Sequence, residues 1–162
     1  MAEFGDLDRT DLALLRCLQK DARISNKELA AAVGLAPSSC HERLKRLKAT
    51  GVLKGAHAEI DFSALGFQLE ALLFLALAKH TRDVVDDFLR EVVEIPEVRS
   101  AFLVTGRHDI VVHVVVRDMR HLKDLALDQF TNRPGVTQIE TSVVYDTAHR
   151  HDLVIDETTA GG

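Results

Sequence analysis

The sequence has few cysteines, no long apolar run and no leader-like N-terminus. Cys17 and Cys40 are the only cysteines, too few for a disulfide framework, and they fit a reducing interior. No apolar stretch reaches the roughly 18 residues that a membrane span needs. The first eight residues carry three acids and no basic segment, unlike a signal peptide. These absences predict a cytoplasmic protein.

Motifs of common enzyme and metal sites are also missing. The sequence contains no Gly-x-Ser-x-Gly motif, no P-loop and no Gly-x-Gly-x-x-Gly. Cys40 and His41 are adjacent, but neighbouring helical residues point about 100° apart, so the two side chains do not face each other. His149 and His151 could chelate a metal, yet no Cys-x-x-Cys or His-Glu-x-x-His accompanies them. We therefore predict no enzyme activity, no metal and no cofactor.

Charge is distributed unevenly along the 162 residues, which carry a net charge of −5. Up to Phe62 there are ten basic and nine acidic residues, whereas from Ser63 onward ten basic residues face sixteen acidic ones. Between Ala36 and Ala56 five basic residues accompany a single acid, Glu42. Such a local surplus is typical of a surface that binds nucleic acid, although many basic clusters are merely solvated helix faces.

Two short helices are predicted before residue 35. Asp8 and Ser25 are each followed by an acid three residues later, which is the capping-box pattern at a helix start. The first helix should run to about Lys20. The second should end at Gly34, because glycine is common just beyond a helix C-terminus.

A third helix is predicted from Pro37 to about Thr50, because proline suits the first turn of a helix. The short glycine-containing turn before it makes the last two helices a helix-turn-helix. After it, Val52–Lys54 and Ala56–Asp61 are expected to form two strands around Gly55, a wing.

From Gln68 the pattern changes to strand, helix, strand, strand, helix, strand. The segments are the strand Leu69–Ala78, a helix with Val84, Val85, Phe88, Leu89 and Val92 on one side, the strands Ala101–Thr105 and Ile110–Val116, a helix with Leu122, Leu125, Ala126 and Phe130 on one side, and the strand Val136–Tyr145. This order predicts a ferredoxin-like α+β domain, an antiparallel sheet with both helices on one face. We expect domains at residues 1–62 and 63–150, followed by a tail at 151–162.

The predicted strands are apolar on both faces. Leu72–Leu75 is continuous, and Ile110–Val116 is interrupted only by His113, which we interpret as a core or interface residue. A sheet with water on one face would instead alternate apolar and polar residues. The second face therefore needs a cover that the chain itself does not supply, which predicts a homo-oligomer.

The third helix has one apolar side, with Cys40, Leu44 and Leu47 at helical spacing. The opposite side suits a DNA major groove, because basic side chains contact guanine or phosphate, serine contacts phosphate and glutamate accepts from cytosine. The predicted contacts to double-stranded DNA are Ser38, Ser39, His41, Glu42, Lys45 and Arg46.

These features resemble the leucine-responsive/asparagine regulator (Lrp/AsnC, feast/famine) family of transcriptional regulators. The matching segments are Leu7–Asp11, Asp21–Asn26, Val33–Cys40, Arg43–Leu47, Val104–Asp109 and Arg133–Val136. The resemblance implies a winged helix-turn-helix followed by a ferredoxin-like effector domain. It also implies dimers that assemble further, often to octamers, with amino-acid effectors bound between dimers. One departure is Ala36, where the family commonly has a serine that would cap the third helix.

The loop Gly106-Arg107-His108-Asp109 matches the family's Gly-x-x-Asp loop. Glycine lets a backbone approach a ligand closely, and an acid beside exposed amides complements a zwitterion; an ordinary hairpin turn would use the same residue types. The effector positions that the resemblance implies are Val104, Thr105, Gly106, His108, Asp109, Met119, Thr141 and Ser142.

The sequence as a whole predicts a sequence-specific DNA-binding regulator whose assembly or DNA affinity responds to an amino acid. The alternative is a DNA-organising protein without an effector, because the same helix and the same assembly could wrap DNA non-specifically.

Overall fold

Residues 7–79 and 81–148 are described by a computed structural model, and the chain divides into two units, residues 7–59 and residues 60–147. The first unit contains three helices, α1 (Arg9–Lys20), α2 (Asn26–Ala32) and α3 (Pro37–Ala49). None of the helices within those ranges is long and apolar enough to cross a membrane.

The helix starts follow the local signals in the sequence. The Asp11 N–H donates to Asp8 Oδ1 at 2.8 Å, the Glu28 N–H donates to Ser25 Oγ at 3.2 Å, and both capping boxes are complete. Ala36 gives α3 no side-chain cap, as expected. The predictions for the start of all three helices are therefore confirmed.

A tight turn between α2 and α3 completes the helix-turn-helix. Gly34 has a φ of 70°, a conformation that favours glycine, and the Leu35 N–H donates to the Ala30 carbonyl at 2.8 Å. The helices pack around a small core that consists of Leu14, Leu29, Ala30 and Cys40.

The wing strands that we expected around Gly55 are not formed, and residues 51–61 contain no strand. The Leu53 N–H instead donates to the Leu47 carbonyl, so the chain folds back on the end of α3. Residues 54–61 are exposed throughout, so the alternating apolar residues Ala56, Ala58 and Ile60 do not form a buried face. An isolated two-stranded hairpin is marginal in water without such a face.

The second unit is a four-stranded antiparallel sheet with helices on one face. Its elements are β1 (Leu69–Leu77), α4 (Arg82–Val92), β2 (Val98–Leu103), β3 (Ile110–Val116), α5 (Met119–Leu125), a π-helical continuation (Ala126–Thr131) and β4 (Val136–Val144). The strand order is β2-β3-β1-β4, and every neighbouring pair is antiparallel. This confirms the ferredoxin-like α+β domain.

The second strand, β2, lies earlier than predicted, at Val98–Leu103 instead of Ala101–Thr105. Its pairing with β3 ends at Leu103, opposite Ile110. The Val104 N–H then donates to the Asp109 carbonyl at 2.9 Å, which closes a loop over residues 104–109. The apolar run from Ala101 predicted a strand that continued to Thr105, but Val104 and Thr105 belong to the loop instead.

The two faces of the sheet differ in how fully they are covered. The helix side is a closed core whose strand residues are Ala71, Leu73, Leu75, Leu77, Ile110, Val112, Val114 and Val116. The other side, which we call the outer face, carries a row of register partners that runs from Phe102 through Val111 and Phe74 to Glu140. Phe102 is 52% exposed, so this row presents apolar surface to solvent in the isolated chain.

Candidate DNA-binding helix and effector loop

The third helix separates its apolar and polar residues onto opposite sides. Cys40 and Leu47 are fully buried and Leu44 packs against the core, which confirms the predicted inner side. The side chains predicted to meet DNA are all exposed; they are Ser38, Ser39, His41, Glu42, Lys45 and Arg46. One continuous polar side of α3 is therefore accessible to a ligand.

The inner side of α3 has a packing role. Burial raises the pKa of the Cys40 thiol, because the apolar surroundings disfavour the charged thiolate. At the start of α3 the Asn26 amide of α2 donates to the Pro37 carbonyl at 2.8 Å. The first turn of α3 is thus anchored to α2.

The most unusual feature of this unit is a buried carboxylate on α1. The Asp11 side chain is 0% exposed, and its two oxygens accept hydrogen bonds from two arginines of α3. Arg43 Nη1 lies 2.9 Å from Asp11 Oδ1 and 2.6 Å from Asp8 Oδ2, while Arg46 Nη2 pairs with Asp11 Oδ2. Sequence reasoning identified both acids only as a capping box and missed their arginine partners.

The ion pairs shift the pKa values of Asp8 and Arg43. Partial burial acts to raise the pKa of the Asp8 carboxyl, but the Asp11 backbone N–H and the Arg43 guanidinium together lower it. The hydrogen bonds to Asp8 and Asp11 raise the pKa of Arg43 further. The cluster thus pairs two acids with two arginines, so that its opposite charges balance.

The predicted effector loop lies at the edge where β2 turns into β3. Gly106 has a φ of 126°, which other residues adopt only with strain, so glycine is needed here. The Asp109 N–H donates to the Leu75 carbonyl at 2.8 Å, and Asp109 Oδ2 accepts from the Leu77 N–H at 2.7 Å. Asp109 therefore supports the end of β1, a role that sequence reasoning did not foresee.

His108 brings the loop onto the outer face. Its ring lies 5.4 Å from that of Phe74, and Nε2 is 3.4 Å from the Glu140 carboxylate of β4. Ser142, the next β4 residue on that face, is within the same region of the sheet. Phe74 and Glu140 thus join the predicted site, although neither was singled out from the sequence.

The remaining predicted effector positions are not all brought together within one chain. Thr141 is paired with Leu73 and so belongs to the helix side of the sheet, opposite Ser142. Met119 is 59% exposed. It comes after the C-terminal end of β3, whereas the loop comes before the N-terminal end of that strand. The seven residues of β3 span about 20 Å at 3.3 Å per residue, which separates Met119 from Gly106.

Metal ligands were considered at His149 and His151, which lie outside the described residues. Within residues 7–79 and 81–148 no three His, Cys, Asp or Glu side chains lie close enough to hold a metal ion. His113, the histidine inside β3, instead places Nε2 2.8 Å from the Glu70 carboxylate on β1.

The helix-turn-helix and the ferredoxin-like unit together define a DNA-binding regulator with a separate ligand-binding domain. Family models agree with both units: residues 7–48 match the AsnC-type helix-turn-helix domain, and residues 70–154 match the Lrp/AsnC ligand binding domain. The chain belongs to the Lrp/AsnC family, and it is a DNA-binding transcriptional regulator.

Relatives match over nearly the whole chain. Transcriptional regulator AzlB of Bacillus subtilis is 36% identical over 152 residues, which cover 93% of this chain and 97% of AzlB. The leucine-responsive regulatory protein of Escherichia coli K12 is 33% identical over 153 residues, which cover 94% of this chain and 93% of that protein. A Neisseria meningitidis transcriptional regulator, solved as a complex with L-Met, has a TM-score of 0.80 at 30% identity and covers 89% of this chain and 93% of that one.

The lowered pKa of Asp8 predicts how acid affects the first unit. A carboxyl whose pKa lies below its usual 3.8 in the folded state adds stability above that pH and loses this contribution as the pH falls through the folded value. We expect wild type to exceed Asp8→Asn in free energy of unfolding by a constant amount above about pH 5 and by a shrinking amount below pH 3.8. Urea unfolding followed by circular dichroism measures this difference.

Asp83→Asn is the matched control, because it removes an exposed carboxylate from the first turn of α4 and leaves Arg43 untouched. A wild-type advantage over Asp8→Asn that stays constant throughout acid titration would contradict the assigned pairing.

Proposed function

We propose that α3 enters the major groove of double-stranded DNA and that an amino acid at the 104–109 loop changes DNA affinity or assembly. The entry of α3 into the groove is supported by its continuous exposed polar side, which lies opposite the buried Cys40 and Leu47. The proposed contacts are Ser38, Ser39, His41, Glu42 and Lys45. Arg46, the sixth contact predicted from the sequence, is also exposed on α3 but pairs with Asp11. The proposed setting is the cytoplasm, and the proposed role is regulatory rather than enzymatic.

Lys45 is the basic side chain on which DNA binding should depend. Lys45→Glu should weaken binding by about 1–3 kcal/mol. The loss should extend to all sequences if Lys45 contacts phosphate, and it should be confined to one base pair if Lys45 reads guanine. Lys123→Glu, an equal charge reversal on α5, is the control and should bind like wild type. Fluorescence anisotropy with labelled duplexes measures both, and equal affinities for the two variants would refute the assignment.

We propose an amino acid as the effector because a relative 30% identical to this chain was solved with L-Met. In this chain the loop offers complementary groups: an acid at Asp109, a glycine backbone at Gly106 and the His108 ring beside Glu140. Val104, Thr105 and Ser142 complete the proposed site in the same unit, whereas Thr141 belongs to the helix side of the sheet. Met119 would have to come from another copy of the chain, because it lies at the far end of β3.

Asp109→Asn is the sharpest test of the loop. Asparagine keeps an oxygen that accepts the Leu77 N–H, but it removes the negative charge that would pair with a ligand ammonium. Amino-acid affinity should fall by roughly 1.5–3 kcal/mol, about tenfold or more, while DNA affinity without ligand stays unchanged. Calorimetry with a panel of amino acids and footprinting with and without them measure the two effects.

Asp128→Asn, an exposed carboxylate of the same unit, is the control and should respond like wild type. If Asp109→Asn also responds like wild type, the loop is only a turn. If wild type binds DNA but no amino acid, the DNA-organising alternative replaces the effector model.

We also propose that the outer face of the sheet is covered by a second copy of the chain. The row from Phe102 to Phe74 is apolar and incompletely covered, as an interface would be. Paired subunits would present two recognition helices to two half-sites, and further assembly to an octamer is part of the proposal.

Phe102→Asp should lower the mass measured by light scattering at micromolar concentration, because it puts a charge at the proposed interface. Leu103→Asp is the matched control, since Leu103 is 59% exposed and belongs to the opposite side of β2. A wild-type mass of one chain, or equal masses for the two variants, would exclude this interface.

A further inference from the structure

Four charged side chains join α1 to α3, and we call them the α1–α3 quartet: Asp8, Asp11, Arg43 and Arg46. We propose that Asp11 is a positioning residue of the DNA-binding helix. By holding Arg43 and Arg46 against α1, it leaves Lys45 rather than Arg46 to neutralise DNA phosphate. This inference rests on the proposed binding of DNA by α3.

The burial of Asp11 makes its arginine partners hard to remove. A carboxylate with no exposed surface has lost its hydration, and hydrogen-bonded cations are what compensate for that loss. Each oxygen of Asp11 has one arginine, and Asp8 adds a second acceptor for Arg43. An Arg46 that moved to a phosphate would leave one Asp11 oxygen with only the Asp8 N–H, at 3.2 Å.

The quartet also changes the charge that α3 offers to DNA. Arg46 is 52% exposed, so exposure alone places it on the DNA-facing side. Its charge is nevertheless matched by Asp11, and the quartet as a whole is neutral. Lys45 is exposed, lies outside the quartet and makes no ion pair with the residues that the structure describes, so its ammonium is available to the proposed interface.

The geometry of a helix explains how the quartet could set the orientation of α3. Arg43 and Arg46 are three residues apart and lie on one side of the helix, where both reach α1. At 100° per residue Lys45 points about 200° away from Arg43. The bonds from Arg43 and Arg46 to α1 therefore fix the rotation of α3 about its axis, and they keep Lys45 on the opposite side of the helix.

The salt dependence of DNA binding separates a phosphate contact from a positioning role. The slope of log affinity against log salt becomes shallower by about 0.9 for each phosphate that the protein no longer neutralises. Between 50 and 200 mM salt, the affinity then falls by a factor that is about 3.5-fold smaller. We would measure it by fluorescence anisotropy with a short random-sequence duplex for wild type, Lys45→Gln and Arg46→Gln. Lys45→Gln should make the slope shallower by about 0.9 per bound helix. Arg46→Gln should keep the wild-type slope while unfolding at lower urea.

Asp11→Asn tests the same idea in the opposite direction. It removes one negative charge and releases Arg46, so the folded variant should bind the random duplex more tightly and with a steeper slope. A purely structural role for Asp11 would give weaker binding with an unchanged slope, which would overturn the proposal. If this variant does not fold, the comparison of Lys45→Gln with Arg46→Gln decides alone.

The outcomes distinguish the positioning role of Asp11 from the proposed binding of DNA by α3. If wild type does not bind the duplex even at low salt, DNA binding itself fails. If wild type binds and Arg46→Gln makes the slope as shallow as Lys45→Gln does, α3 is the DNA-binding helix but Arg46 contacts phosphate, and only the positioning role of Asp11 is overturned.

Discussion

The buried carboxylate of Asp11 constrains the whole helix-turn-helix unit. The unit has a small apolar core, and small domains bury a lower fraction of their surface than large ones. A fully buried charge in such a unit is compatible with folding only when its partners are in place, because an uncompensated buried carboxylate is strongly destabilising. Packing of α1, the capping box at its start and the orientation of α3 are therefore coupled through one side chain, which accepts from Arg43 and Arg46.

In the ferredoxin-like unit the two proposed functions share one surface. The outer-face row ends at Phe74 and Glu140, and His108 of the effector loop lies against both. A ligand at the loop would therefore lie beside the face proposed for self-association. A ligand shifts an equilibrium only by its difference in affinity for the two states. At the proposed site the ligand and the second copy would touch the same side chains. The affinity for the ligand would therefore differ between the single and the assembled chain.

The sequence predicted features whose signals are local. Capping boxes, the Gly34 turn and the buried side of α3 each depend on residues within a few positions, and the structure has all of them. The β2 boundary and the absent wing depended on which strands find partners, which apolar patterns alone do not specify. The pairing of Asp11 with arginines more than thirty residues away was likewise invisible, because helical spacing gives the side of a residue and not its neighbour across the core.

The quartet also changes how the charge of the DNA-binding region should be counted. Residues 36–56 carry five basic side chains and one acid, which suggests a strongly positive helix. Two of those five are matched by Asp8 and Asp11, which lie outside this window and cannot be seen by counting within it. Glu42 adds an exposed acid to the same side as Lys45. On the proposed interface we therefore expect a modest non-specific attraction to phosphate, and a recognition that depends more on base edges and on two correctly spaced helices.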